Sequence, residues 1–190
     1  MLDPTALPGF LSAQLFERRQ VFLTGRLDPA RATSLTAQLL TLDALAAEPI
    51  TLYLDSPDGA LEAAFTLVDT LKLLRSEVRA HCLGRLGGPS VAVLAVADRR
   101  SASPNARIRL AQPRLEASGT ADHLSSQSHH VQDLLRRLQV ELADATGQPL
   151  EEVALDLRRE RYLDAQEALA YGLIDQIGAP TYDPSSPHRP

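Results

Sequence analysis

The chain has 190 residues, with 19 basic against 24 acidic side chains and a formal net charge of −5 at neutral pH, the length of one domain with tails. That charge argues against a nucleic-acid coat built on phosphate contacts, and a single cysteine, Cys82, excludes an internal disulfide framework and a Cys-rich zinc site, so a reducing, cytoplasmic setting is expected. No uncharged apolar run reaches the roughly 18 residues of a membrane span, and MLDPTALPGF lacks the basic and apolar regions of a signal peptide, so neither membrane insertion nor secretion is expected.

In chain order, residues 1–14 read as a mobile arm: the stretch to Gly9 holds two prolines and no periodicity. Short apolar runs follow at Val21–Leu23, Ile50–Leu54, Val78–Leu83, Arg107–Leu110 and Leu173–Ile177, each of strand length. Between them lie helical patterns. Pro29–Leu45 places Leu35, Leu39 and Leu42 on one face, and Leu61–Leu74 repeats Leu61, Phe65, Val68 and Leu71 at steps of four and three. The longest helix is expected over Thr120–Ala145, with Val131, Leu134, Leu135, Leu138 and Leu142 in register ahead of a Gly147-Gln-Pro149 break. Its front half, Asp122 to His130, is polar almost all round. Asp164-Ala-Gln-Glu167 fits a capping box and Gly172 a stop for a short helix over Leu163–Tyr171. Alternating strands and helices predict an α/β domain with a parallel or mixed sheet over residues 15–178, and prolines 180, 184, 187 and 190 predict a disordered tail over 179–190.

The segment Cys82-Leu-Gly-Arg-Leu-Gly-Gly-Pro-Ser-Val carries the densest chemical signal. A strand enters a glycine turn and leaves as an apolar helix over Pro89–Ala97, with Pro89 at the first helical position, where an N–H is dispensable. A strand–turn–helix of this kind can expose a serine nucleophile beside oxyanion-stabilising amides, and Ser90 is the candidate inside it. No G-x-S-x-G is present, and the plainer reading is that Gly87 and Gly88 make a tight turn and Ser90 is a first-turn polar residue. A nucleophile also needs a base. His81 lies in a strand and reads as a packed, hydrogen-bonded residue, while His123, His129 and His130 fall in the polar half of the long helix and His188 in the tail. Spacing assembles no triad from them. No cofactor motif and no metal-ligand pattern is present in the sequence.

Taken together, LFERRQVFLTG, AQLLTLDA, ITLYLDSPDG, VDTLKLL, CLGRLGG, SPNARIRLAQP, TGQPLEEV and LDAQEALAYGLIDQIG resemble, in order, the proteolytic subunit of the Clp protease, ClpP. The resemblance implies a ClpP/crotonase-like α/β fold with a protruding handle helix, here Thr120–Ala145, that mates two heptameric rings into a chamber served by a ring ATPase. It also implies a catalytic serine, histidine and aspartate, and these positions fall on Gly88, on Ala111 in Ala111-Gln112-Pro113, and on Glu160. The two oxyanion positions fall on Asp58 and Pro89, and proline has no N–H to offer. Loss of one oxyanion donor costs about 10²–10³ in rate, and loss of a catalytic serine or histidine on the order of 10⁶. The resemblance therefore implies a degenerate, non-catalytic member of the family.

Three functions stay open at this point. The first is a non-catalytic, structural or regulatory subunit assembling with an active ClpP-type subunit. The second is a serine endopeptidase that uses Ser90, with the amide of Val91 as oxyanion donor. The third is a homo-oligomer, heptamer or tetradecamer, that binds a peptide or acyl ligand without cleaving it. At the family's inter-ring acid–Arg pair this chain reads Arg158-Arg159, so two like rings would face arginine with arginine. Tyr53 matches one aromatic of the family's ATPase-docking surface and Thr51 replaces another, which leaves a Clp ATPase as a conditional partner.

Overall fold

A computed structural model describes residues 9–113 and 121–180, with the side chains of residues 121–128 outside the description. Helix α1 (Gly9–Glu17) leads into strand β1 (Gln20–Thr24), α2 (Pro29–Leu45), β2 (Ile50–Ser56), α3 (Leu61–Leu73) and the long strand β3 (Val78–Gly87). A single 3₁₀ turn, Gly88–Ser90, passes into α4 (Val91–Ala95), then β4 (Arg99–Ala102), β5 (Arg107–Leu110), α5 (Ala121–Thr146), α6 (Leu150–Arg159), β6 (Arg161–Leu163), α7 (Ala165–Tyr171) and β7 (Gln176–Ile177).

The sheet runs β1-β2-β3-β4-β7, all parallel, with β5 parallel to the far half of β3 and β6 antiparallel to β5. Parallel pairing demands crossovers, which α2 and α3 supply between the first three strands. Because β3 has ten residues, its first half pairs with β4 through Arg79–Cys82 and its second half with β5 through Arg85–Gly87. One strand thereby carries the main sheet and a small β5–β6 extension. The α/β class read from the sequence is the architecture found.

Alternation drives β2: Ile50, Leu52 and Leu54 are fully buried beneath α2 and α3, whose Leu35, Leu39, Leu67 and Val68 fill the same core. Each such side chain contributes about 1.5–3 kcal/mol on burial. Asp28 caps α2 by accepting the Arg31 N–H at 2.8 Å, and Pro29 takes the first helical position. At the other end, Arg19, itself at φ 57°, donates to the Leu42 and Ala46 carbonyls, which also accept the Ala46 N–H and the Ser76 hydroxyl, and to Glu48 O. The capping box at Asp164 and Glu167 is formed, and Gly172 at φ 82° ends α7 in a conformation that costs a Cβ-bearing residue.

Several expectations need correction. Residues 9–14, assigned to the arm, belong to α1, and residues 1–8 and 181–190 lie outside the described residues. The final strand shrinks from Leu173–Ile177 to Gln176–Ile177, because Leu173 and Ile174 are buried in the connection ahead of it. The expected helix Pro89–Ala97 divides into the 3₁₀ turn and the shorter α4. The sequence pattern marks neither strand β4, nor strand β6, nor helix α6. The long helix spans Ala121–Thr146, about 39 Å at 1.5 Å per residue. Leu134, Leu138 and Leu142 anchor its rear half in the core, while His129 and His130 are exposed. Among the described residues, no helix is long and apolar enough to cross a membrane.

Candidate functional site

The strand register brings three distant positions to one end of the β3–β5–β6 extension. Gly87 pairs with Arg109, and Leu110 pairs with Arg161. Gly88 directly follows Gly87, Ala111 follows Leu110, and Glu160 precedes Arg161. The positions that the resemblance assigns to serine, histidine and aspartate thus converge here, but carry no hydroxyl and no imidazole.

Gly88 has φ +57°, in the left-handed region where a side chain is strained. Across from it sits the Asp58 carboxylate, held by the Gly59 N–H at 2.9 Å; a Cβ built on Gly88 would meet Asp58 Oδ1 at 2.8 Å. The loop residue expected to offer a donor therefore sets an anionic oxygen where a nucleophile's side chain would begin. Pro89, buried behind it, supplies no N–H.

Ser90 is turned inward, against the backbone of the loop that carries Asp58. It is wholly buried, its Oγ lies 3.0 Å from Ser56 Oγ, and it donates to the Asp58 carbonyl at 3.3 Å. The Val91 N–H, the amide a Ser90 nucleophile would use, is given to the Gly88 and Pro89 carbonyls. Neither hydroxyl nor amide is presented to a substrate in this arrangement.

Glu160 ends α6 at φ 53°, a left-handed conformation that costs a non-glycine residue about 1–3 kcal/mol. Its carboxylate accepts Arg109 Nη1 at 3.1 Å, and Arg109 Nη2 reaches toward the Pro57 carbonyl at 3.4 Å. Arginine, rather than imidazole, partners this carboxylate and ties it to the loop that carries Asp58. Sequence reasoning missed Arg109, since the pair spans 51 residues and only the β5–β6 register reveals it. Ala111 is fully buried beside this pair in the chain.

Arg158 and Arg159 are exposed in the last turn of α6, where positive charge suits the helix dipole, and neither forms an ion pair among the described residues. Asp156, one turn earlier, is buried and accepts Arg161 Nη1 and the Tyr171 hydroxyl, each at 3.0 Å. Burial and that carboxylate push the Tyr171 phenol well above its ordinary range.

The histidines resolve as follows. His81 is buried in β3, as expected, with Nδ1 2.8 Å from Ser101 Oγ and Nε2 3.1 Å from Ser103 Oγ. His130 lies 3.4 Å from Glu62. The side chain of His123 and all of His188 lie outside the described residues. Among the described residues, no group of three or more His, Cys, Asp or Glu could hold a metal ion. Tyr53 stacks on Phe22 with ring centroids 4.9 Å apart and meets the His81 ring edge-on at 5.9 Å.

Comparison with known proteins adds the family. The model of the family described as Clp protease matches residues 10–181. The chain is 34% identical over 169 residues to ATP-dependent Clp protease proteolytic subunit 1 of Corynebacterium glutamicum, covering 87% of this chain and 81% of that one. It is 34% identical over 168 residues to ATP-dependent Clp protease proteolytic subunit 2 of Corynebacterium jeikeium, covering 86% and 80%. A subunit 1 from Corynebacterium diphtheriae is 33% identical over 169 residues, again covering 87% and 81%.

Proposed function

The chain belongs to the Clp protease family, and on that premise we propose that it is a non-catalytic subunit that assembles with an active proteolytic subunit and does no peptide hydrolysis itself. One observation carries this reading: a Cβ on Gly88 would sit 2.8 Å from the Asp58 carboxylate, at a position without hydroxyl or imidazole. Acyl transfer needs a nucleophile, a base and donors aimed at developing negative charge. Here the first is glycine, the second alanine, and the donors are a proline nitrogen and a loop closed by a carboxylate.

Arg158 and Arg159 support partnership with an unlike ring. Two copies of α6 meeting end to end would bring like charges together, whereas a partner bearing carboxylates would be attracted and its orientation fixed. The role left for this subunit is to shape the shared chamber, its gate or its ATPase contacts.

Native mass, measured alone and after mixing with an active Clp proteolytic subunit of the same cell, tests this. We expect a mixed assembly that co-purifies through a tag on either chain, and weaker association for Arg158→Glu/Arg159→Glu. A chain that ignores every active subunit in that cell overturns the reading.

A further inference from the structure

Away from Gly88, the structure holds a serine hydroxyl against an imidazole. Ser103 Oγ lies 3.1 Å from His81 Nε2, and Ser101 Oγ lies 2.8 Å from His81 Nδ1. In the tautomer that satisfies all three contacts together, Ser101 Oγ donates to the Ala80 carbonyl at 3.4 Å and accepts from Nδ1–H. Nε2 is then the bare lone pair, and Ser103 donates to it. His81 and Ser101 are buried, while Ser103 is partly exposed where β4 leaves the sheet. A buried base therefore sits against the hydroxyl of a partly exposed residue.

We propose that Ser103, with His81 as its general base and Ser101 fixing the imidazole, is a covalent acyl-acceptor site for activated esters. In the step, Ser103 Oγ bonds to the ester carbonyl carbon while its proton passes to His81 Nε2. The carbon–oxygen bond to the leaving group then breaks, the alcohol departs as its anion, and His81 returns the proton to solvent. The acyl group stays on Ser103.

The surroundings limit the substrate class. The Ser103 N–H is committed to Cys82 O, the next residue is Pro104, and the Ala106 N–H closes the turn onto Ser103 O. These amides offer no oxyanion hole, so the leaving group must be good in its own right: aryl esters qualify and peptides do not. Burial holds the His81 imidazole below its ordinary pKa, which keeps it neutral at pH 7 and makes it a weaker base than a free imidazole, a second reason why only activated esters qualify. The third member of the set is a hydroxyl, not a carboxylate, so it orients the ring without stabilising the cation as an anion would.

This inference stands apart from the proposed function, because it predicts ester acylation and no peptide cleavage. The test incubates the purified full chain with p-nitrophenyl acetate, follows p-nitrophenolate, and maps the adduct by mass spectrometry. We expect one acetyl per chain, on Ser103, forming at least tenfold more slowly in Ser103→Ala and in His81→Gln. In Ser101→Ala the acid limb of the rate–pH profile moves to lower pH, since the cation loses its Nδ1–H acceptor. Should His81→Gln unfold, Ser103→Ala with an unchanged melting curve decides. An acetyl on any other residue, or Ser103→Ala reacting at the parent rate, overturns the proposal.

Discussion

Asp58 Oδ1 lies 2.8 Å from where a Cβ on Gly88 would be, so the two positions exclude each other's larger forms. Restoring a side chain at the turn conflicts both with this oxygen and with φ +57°. Gly88→Ser is expected to lower stability by about 1–2 kcal/mol and to confer no peptidase activity, as read by denaturant unfolding and a fluorogenic peptide. In the Asp58→Gly background the same change costs less, with a coupling of at least about 0.5 kcal/mol. Strict additivity would contradict the contact.

Arg19 closes α2 at the cost of its own left-handed backbone. Arg19→Ala keeps the strain and removes the guanidinium from the Leu42 and Ala46 carbonyls, which retain the Ala46 N–H and the Ser76 hydroxyl, so we expect about 1–2 kcal/mol of destabilisation in equilibrium unfolding. A change below about 0.5 kcal/mol would show that water replaces the guanidinium.

His81 sets an acid limit on stability. Its folded-state pKa is lowered by burial from the ordinary 6.5, so the unfolded chain binds the extra proton first as pH falls. The contribution of the neutral imidazole is whole above about pH 6.5 and is lost below it. Unfolding titrations at pH 7.5 and pH 5.5 should show a larger loss for the parent than for His81→Gln; equal losses would contradict this.

Cys82 is fully buried, and burial together with Asp55 pushes its thiol up to about 12. The thiolate that reacts is therefore absent at neutral pH. A disulfide reagent should fail to modify the native chain and react with one equivalent in denaturant. Above pH 9 the unfolded thiol ionises while the folded one stays protonated, so stability falls as pH rises there. Rapid modification of the native chain would contradict this placement.

Much of the architecture was legible because local chemistry and tertiary packing agree. Asp28-Pro29 and the Asp164–Glu167 box begin helices where capping groups demand it, and the apolar runs of β2, β3 and β5 lie in the sheet. The misses have common physical causes. Strand β4 reads Arg-Arg-Ser-Ala, polar by pattern, yet Arg100 is buried by its pairing with Asp175, 75 residues away. Strand β6 has three residues and pairs only with β5, too short to show a period. Leu173 and Ile174 look like strand but are buried without ladder bonds, so apolarity misled there.

Within the candidate site, Gly88, Ala111 and Glu160 were found through the family resemblance; spacing alone joined none of them. The Arg109–Glu160 and Asp58–Gly88 relationships needed strand register and a loop conformation, neither of which leaves a local sequence mark. Likewise His81 read as structural, and its two serine partners lie 20 and 22 residues away.

The role proposed for this member of the Clp protease family is that of a subunit without peptide-cutting groups of its own. The most direct test is peptide hydrolysis by the mixed assembly after the active partner's catalytic serine is changed to alanine. The account expects the rate to fall to that of buffer, with the assembly intact by native mass. Residual cleavage that disappears on a further Ser90→Ala in this chain would contradict it.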